Sequence, residues 1–482
     1  MNNPIQKKTG KAIKWYGIEV FGKQILQIGI TILLARLLEP EDFGLIGMVY
    51  IFVLVSSVIV DGGFAAALVY KKNIDSADKS TVFYTNIIIS LLLYLLIFIF
   101  SESIASFYNQ PQLKTIVRWL GLSIILASFN IVHYAMYSRK MNFKTPAKIN
   151  LLALVISGTT AIIIALMGGR VWALVVQNIM MTATTVLAFW IYDPWKPIRI
   201  FRFKALKSLF SYGSNLMIAA IINQLFHNIY YVLIGKLYSP TALGYYSQAN
   251  KIQSIPSSKI QQVMRKTTFP VFVSLSDQSK ELENYFYKLF KTSALINFPA
   301  LLLIALLSKD IVILLLTSKW EPIIPYLELL CYSSLFLPFF ALSSNAVLCK
   351  GKSFLNLKIE LLKNIIIILN IVIVIRWGIL GLIIGQIINS ILFLIIHLIV
   401  VKRILRIDIF KLLRITGQYL LIGFTPFLLI KFFMNIHSFT HLFNIILFGS
   451  LYIALYYLIA LVFKLNNGLT LQTVYNLLMN KK

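Results

Sequence analysis

Glu19 and Lys23 stand four residues apart within the first long apolar run, on one helix face, with the carboxylate N-terminal to the ammonium as that pairing prefers. Counted at about 1.5 Å per residue from Lys14 and back from Tyr70, both lie at the depth of Asp61 in the second run. Lys23 is therefore expected to bridge both carboxylates. An ionisable group inside a membrane segment marks a functional site by default. The chemistry expected is exchange of a proton or sodium ion at Glu19 or Asp61; the plain alternative is an ion pair that only fixes packing.

A second set suits an anionic, hydroxyl-rich ligand. Asn223, Gln224, His227 and Tyr231 follow one another at near-helical spacing, and the stretch QANKIQSIPSSKIQQVMR then brings Gln248, Lys251, Lys259, Gln262 and Arg265 into an otherwise apolar context. These are the donors and cations that phosphates and sugar hydroxyls need. Asn130 and His133, near the inner end of the fourth run, add a third coupling candidate, with a packed and hydrogen-bonded histidine as its structural alternative. Little else offers chemistry. No CxxC, HExxH or Walker pattern occurs, and His437 and His441, spaced i, i+4, lie in a polar corner with no carboxylate near them in sequence, so no metal site is expected. Cys331 and Cys349 are expected to share one helix about 27 Å apart, out of disulfide reach.

The elements that position these residues follow from composition. The 482 residues are 59% hydrophobic and 13% charged, with mean hydropathy +0.81, which describes a polytopic membrane protein rather than a soluble domain. Runs long enough to cross about 30 Å of hydrocarbon lie near 12–38, 43–70, 81–101, 113–137, 149–167, 171–192, 209–235, 241–264, 289–307, 322–349, 354–375, 379–401, 415–434 and 441–463. The basic N-terminus is expected to precede an uncleaved first span rather than to be a signal peptide. With fourteen spans and both termini cytoplasmic, about three quarters of the 45 Lys and Arg fall on the cytoplasmic side. Dropping the polar span at 241–264 would invert that balance for all that follows. The net charge of +28 thus reads as membrane topology, with no nucleic-acid partner.

One corner is written twice. LLARLLEPEDFGLIG at 33–47 and LIGKLYSPTALGYYS at 233–247 align Leu33, Leu37, Pro40 and Gly44 with Leu233, Leu237, Pro240 and Gly244, and Arg36 with Lys236. A fainter echo pairs RVWALVVQ at 170–177 with WGILGLIIGQ at 377–386. Units with an even number of spans repeat in parallel about an axis along the membrane normal. The expected fold is all-α: fourteen transmembrane helices as two parallel six-helix bundles, lobes 1–193 and 194–405, plus two helices and a cytoplasmic tail in 406–482. Such lobes would leave a wet cationic cleft, open sideways, so that a polar head crosses while its tail stays in lipid. The low charge and short outer connections exclude a large extramembrane catalytic domain.

From about residue 10 to 405 the sequence resembles the polysaccharide-transporter family, the Wzx-type flippases of lipid-linked oligosaccharides within the multidrug/oligosaccharidyl-lipid/polysaccharide exporter superfamily. The residues that carry the likeness are LLARLLEPEDFGLIGM, DGGFAAALVYKK at 61–72, SRKMNFK at 138–144, ALMGGRVWALVVQ at 165–177 and LGYYSQANKIQSIPSSKIQQVMRKTTFPVF at 243–272, the last closest to the branch of colanic-acid-type exporters. The resemblance implies alternating access, a polyprenyl-(di)phosphate-linked repeat unit for O-antigen, capsule or exopolysaccharide assembly, no cofactor beyond a coupling H+ or Na+, and residence in the bacterial inner membrane. It places motif positions at Asp61, Gly62, Tyr246, Lys251, Pro256 and Pro270. Glycan polymerases and glycosyltransferases are the partners it suggests. Competing readings are a cation-coupled drug antiporter of the same superfamily, a membrane glycan polymerase or glycosyltransferase, and a scaffold recruiting glycan enzymes.

Overall fold

The structure, a computed structural model, describes residues 22–436 and 439–463, helical almost throughout. Its helices are α1 (residues 22–37), α2 (Pro40–Asp61), α3 (Phe64–Tyr70), α4 (Ser76–Ile99), α5 (Ser101–Tyr108), α6 (Leu113–Ser128), α7 (Ile131–Arg139), α8 (Lys144–Leu166), α9 (Val171–Tyr192), α10 (Phe203–His227) and α11 (Ile229–Leu237). They continue as α12 (Pro240–Ser274), α13 (Ser279–Leu306), α14 (Ser308–Leu316), α15 (Ile324–Ser333), α16 (Leu337–Cys349), α17 (Ser353–Val374), α18 (Gly378–Leu405), α19 (Ile409–Ile436) and α20 (His441–Val462). The chain divides into two compact units, Met1–Ser247 and Gln248–Lys482.

Among the described residues ten helical runs are long and apolar enough to cross a membrane, or eleven if the bent pair α6 and α7, inclined by 42°, is one span. The 35-residue α12 is not among them, because its lysines and amides keep it polar. On α4, Leu91, Leu92, Leu95 and Leu96 point outward, the face a span presents to lipid.

Local chemistry explains the breaks. Pro40 opens α2 where its missing N–H costs nothing, and the Glu39 N–H donates to Asp42 Oδ2 at 3.0 Å. The α2–α3 corner uses Gly62 and Gly63 at φ +54° and +72°, the left-handed region that L side chains resist. There the backbone of α10 approaches so closely that a Cβ on Gly63 would lie 2.3 Å from the Gly213 carbonyl oxygen. A second break parts α10 from α11 at Asn228, whose Nδ2 donates to the Gln224 carbonyl oxygen at 2.9 Å.

Cys331 and Cys349 do not share one helix: the chain breaks between α15 and α16, and the buried Asn297 of α13 donates from Nδ2 to the freed carbonyls of Ser334 and Leu335 at 3.3 and 2.7 Å. Both cysteines are free thiols. Around that break Phe290 stacks on Phe339 at 3.9 Å and Phe298 meets Phe339 edge-on at 5.8 Å, forming the aromatic centre of the second unit.

Candidate functional site

In the first unit His133 of α7 is fully buried, and its Nδ1 lies 2.9 Å from Asp193 Oδ2, itself only 8% exposed. Asp193 follows α9 directly, and its other oxygen accepts from the Trp195 N–H at 3.2 Å, which turns the chain beneath the imidazole. Phe189, Trp190 and Trp195 enclose the ring, with centroids 6.0, 5.7 and 5.2 Å away. Among the described residues His133 Nε2 has no hydrogen-bond partner, nor does the buried Asn130 Oδ1 one turn earlier. The buried imidazole is thus held by one carboxylate at Nδ1, with its second nitrogen unpartnered among the described residues.

Asp61 takes a different part. Its Oδ1 accepts from the Ala65 N–H at 3.2 Å and so closes the first turn of α3 after the two glycines. It also lines a small cavity of about 250 Å³ with Ser57, Ile124, Ala127, Ile131 and Tyr134. Lys23 is exposed on α1, and among the described residues no ion pair joins it to Asp61. The expected bridge from Lys23 to Asp61 is therefore not formed. Glu19 lies outside the described residues.

Asn223 and His227 are exposed one turn apart on α10, while Gln224 is half-buried at the break. Tyr231 of α11 meets Tyr246 edge-on at 5.4 Å. These polar groups therefore gather where the helix is interrupted, with part of their hydrogen bonding spent on the interruption.

In the second unit α12 resolves into two stripes. Ala249, Gln253, Ser257, Met264, Thr268 and Phe272 are buried at helical spacing, and Asn345 of α16 donates from Nδ2 to Thr268 Oγ1 at 2.7 Å and to the Arg265 carbonyl oxygen at 3.0 Å. Gln253, Ser257 and Thr268, part of the polarity of this helix, are thus absorbed by packing. The other stripe, Lys251, Ser258, Gln262 and Arg265, is exposed. Lys259 is half-buried beside it, and Gln248 is buried with an Nε2 that has no partner among the described residues.

Three clusters escaped the sequence reading. His441 Nδ1 lies 2.8 Å from Asp310 Oδ1, and Asn444 Nδ2 donates to the same oxygen at 2.9 Å, so a carboxylate does stand beside that corner. His437 lies outside the described residues. Lys363 sits midway along α17, paired with Glu360 at 3.1 Å and lying over the Phe340 and Phe393 rings. His397 is fully buried against Phe340, centroids 5.0 Å apart. Among the described residues no cluster of three or more His, Cys, Asp or Glu could hold a metal ion.

A family model described as "Polysaccharide biosynthesis protein" matches residues 33–325, more than half of the chain. The chain belongs to this polysaccharide biosynthesis family. It is 26% identical over 351 residues to the teichuronic acid biosynthesis protein TuaB of Bacillus subtilis, covering 72% of this chain and 73% of that one. It is 24% identical over 398 residues, 80% of each chain, to the lipopolysaccharide biosynthesis protein WzxC of Escherichia coli. In fold it is similar to the lipid II flippase MurJ in an inward closed conformation, with a TM-score of 0.76 at 17% identity over 93% of this chain and 98% of that one.

With ten or more apolar helices, this member of the polysaccharide biosynthesis family is a multi-pass protein of the bacterial inner membrane. The family match spans motifs that the fold brings together. Arg170, from ALMGGRVW, lies 3.5 Å from Glu41 and 3.7 Å from Asp42 of the EPED corner, and takes φ +43° to do so. Asp193 is the residue that sequence reasoning missed. Its one signal was an acid in a basic connector, DPWKPIR, directly after a span.

Proposed function

We propose that this chain is a transporter that flips a polyprenyl-(di)phosphate-linked oligosaccharide repeat unit from the cytoplasmic to the outer leaflet by alternating access, for O-antigen, capsule or exopolysaccharide assembly. The observation that carries the reading is the exposed stripe of Lys251, Ser258, Gln262 and Arg265 on α12, in a membrane protein of a polysaccharide biosynthesis family. Exposed cations and amides gathered along one helix suit a hydrated or anionic counterpart. A sugar diphosphate supplies one, and it needs a carrier, since each polar group moved into hydrocarbon without a partner costs about 2–7 kcal/mol. The names of TuaB, WzxC and MurJ support the same substrate class.

In this reading Lys251 and Lys259 attract the phosphates, with Lys23, Gln248, Asn223, Gln224, His227 and Tyr231 as further headgroup contacts. Of the three coupling candidates, His133 is favoured, with Asp193 as its partner, and the ion is then a proton. Asp61 serves mainly as a helix cap. A re-entering cation gains about 2.3 kcal/mol per 100 mV of membrane potential, enough to bias a cycle of near-balanced states. The finer architecture belongs to the same proposal: fourteen spans, cytoplasmic termini, and parallel repeats 1–193 and 194–405 with 406–482 appended. The close approach of Gly44 to the Pro240 backbone and of Gly244 to the Pro40 backbone supports the repeat. The experiment is glycan export from intact cells carrying Lys251→Gln and Lys259→Gln. Loss of export at normal protein levels supports the reading, and wild-type export overturns the phosphate role.

A further inference from the structure

Six cations, Lys71, Lys72, Lys79, Arg139, Lys140 and Arg202, and only two carboxylates, Asp75 and Asp78, line a cavity of about 680 Å³ at one end of the first unit. The carboxylates are committed. Lys71 Nζ pairs with Asp78 Oδ2 at 2.6 Å, Arg202 pairs with Asp75, and Asp75 Oδ1 also accepts the Asp78 N–H at 2.7 Å at the start of α4. Arg139 is committed as well, donating to the carbonyls of Leu68 at 3.0 Å and of Val69, Lys71 and Lys72 where α3 ends. What remains is Lys72 and Lys140, both exposed, and Lys79, whose Nζ stands 5.9 Å over the Trp195 ring. Like charges gathered in one concavity repel one another unless an anion joins them.

The chain beside this cavity carries a second, independent signal. From Trp195 to Lys204 the segment WKPIRIFRFK alternates apolar and basic residues, with Ile198, Ile200, Phe201 and Phe203 all exposed. It is pinned to α4 by the Ile198 N–H donating to Ser80 Oγ at 2.9 Å and the Arg202 N–H donating to Thr81 Oγ1 at 3.0 Å. Aromatic and aliphatic side chains interleaved with cations are the composition of a membrane-interface segment. Arg202 belongs both to this segment and to the cavity wall.

We infer that this cavity is a binding site for the phosphate of a lipid headgroup, with Lys72, Lys79 and Lys140 as its ligands and the 195–204 segment seated in the lipid interface beside it. None of its lining residues belongs to the α12 stripe, so it stands whether or not that stripe carries substrate. Its lipid can come from two sources, an anionic phospholipid or a lipid-linked diphosphate.

The test uses the full chain in nanodiscs of phosphatidylcholine with increasing phosphatidylglycerol, with retained lipid read by native mass spectrometry. The wild type is expected to retain phosphatidylglycerol preferentially. The double variant Lys72→Gln/Lys140→Gln, at exposed positions that leave folding intact, is expected to bind it about thirtyfold more weakly. Lys72→Arg/Lys140→Arg is expected to restore binding, and Lys280→Gln/Lys288→Gln, in the second unit, to leave it unchanged. Release of the lipid by inorganic diphosphate, but not by chloride of equal ionic strength, assigns the site to diphosphate headgroups; retention under both assigns it to bulk phospholipid. Equal retention by wild type and the Lys72/Lys140 glutamine variant, or no preference for phosphatidylglycerol in the wild type, overturns the site.

Discussion

A Cβ added to Gly44 would stand 1.7 Å from the backbone oxygen of Pro240, and one added to Gly244 would stand 1.8 Å from that of Pro40. The two copies of the corner therefore grip each other, each glycine admitting the proline turn of the other. The identity of Gly44 and Gly244 across 200 residues has a steric cause: only a residue without a side chain lets backbone meet backbone there.

Gly44→Ala or Gly244→Ala must then push a helix, not a flexible side chain, and is expected to cost about 3 kcal/mol or more, at or beyond the upper end of overpacking penalties. Gly29→Ala on α1 is the control, since its Cβ would meet nothing within 4 Å. Membrane levels and thermal denaturation of the detergent-solubilised protein should fall for the first two variants and hold for the third. Equal levels in all three would contradict the gripped corners.

Asp61→Asn keeps the oxygen that accepts from the Ala65 N–H, whereas Asp61→Ala removes it, and loss of such a cap costs about 0.5–2 kcal/mol. The asparagine variant is expected to accumulate and export glycan within about twofold of wild type, and the alanine variant to be less stable. Normal levels with abolished export in Asp61→Asn would move Asp61 from cap to ion carrier.

Much of this architecture was legible because it is written in residues with few structural options. Pro40, Gly44, Gly62 and their echoes at Pro240 and Gly244 mark corners, and the long apolar runs between them mark helices. The polar α12 was legible as a feature, but its division into a buried and an exposed stripe was not, because the Asn345 side chain that meets the buried stripe lies 77 positions from Thr268. Pairings across such distances leave no local trace. Asp193 reads as a loop acid until His133 is found against it, and Asp310 lies 131 positions from His441. The breaks at Asn130, Asn228 and Ser334 were hidden for a related reason: a single amide or hydroxyl in an apolar run does not by itself stop a helix.

If the pair carries the proposed coupling proton, His133→Gln and Asp193→Asn are each expected to lower export at least about tenfold at equal protein level, because either change breaks the His133–Asp193 contact while the other partner stays buried. The double variant should be no worse than the singles, as for residues acting as one unit. Export followed against external pH decides the role: the variants should lose whatever dependence the wild type shows. An unchanged pH profile in both would reduce the pair to a packing bond.

His441→Ala leaves the buried Asp310 with Asn444 as its remaining side-chain donor among the described residues and is expected to cost about 1–3 kcal/mol of stability. Export per folded molecule should not change, since this corner is assigned no transport role. Thermal denaturation alongside export normalised to protein level separates the two effects. A normal melting temperature with failed export would give the corner a function.

The central claim is tested most directly by flipping in proteoliposomes. The purified chain is reconstituted with a polyprenyl-diphosphate oligosaccharide confined to one leaflet, and the headgroup reaching the opposite leaflet is measured over time with an impermeant reagent. Wild-type protein is expected to move the headgroup well above protein-free liposomes, and the Lys251→Gln/Lys259→Gln variant about tenfold more slowly or worse, as when charge-assisted phosphate contacts are lost. Transfer by the wild type no faster than in protein-free liposomes, across an imposed proton gradient of either sign, would contradict it.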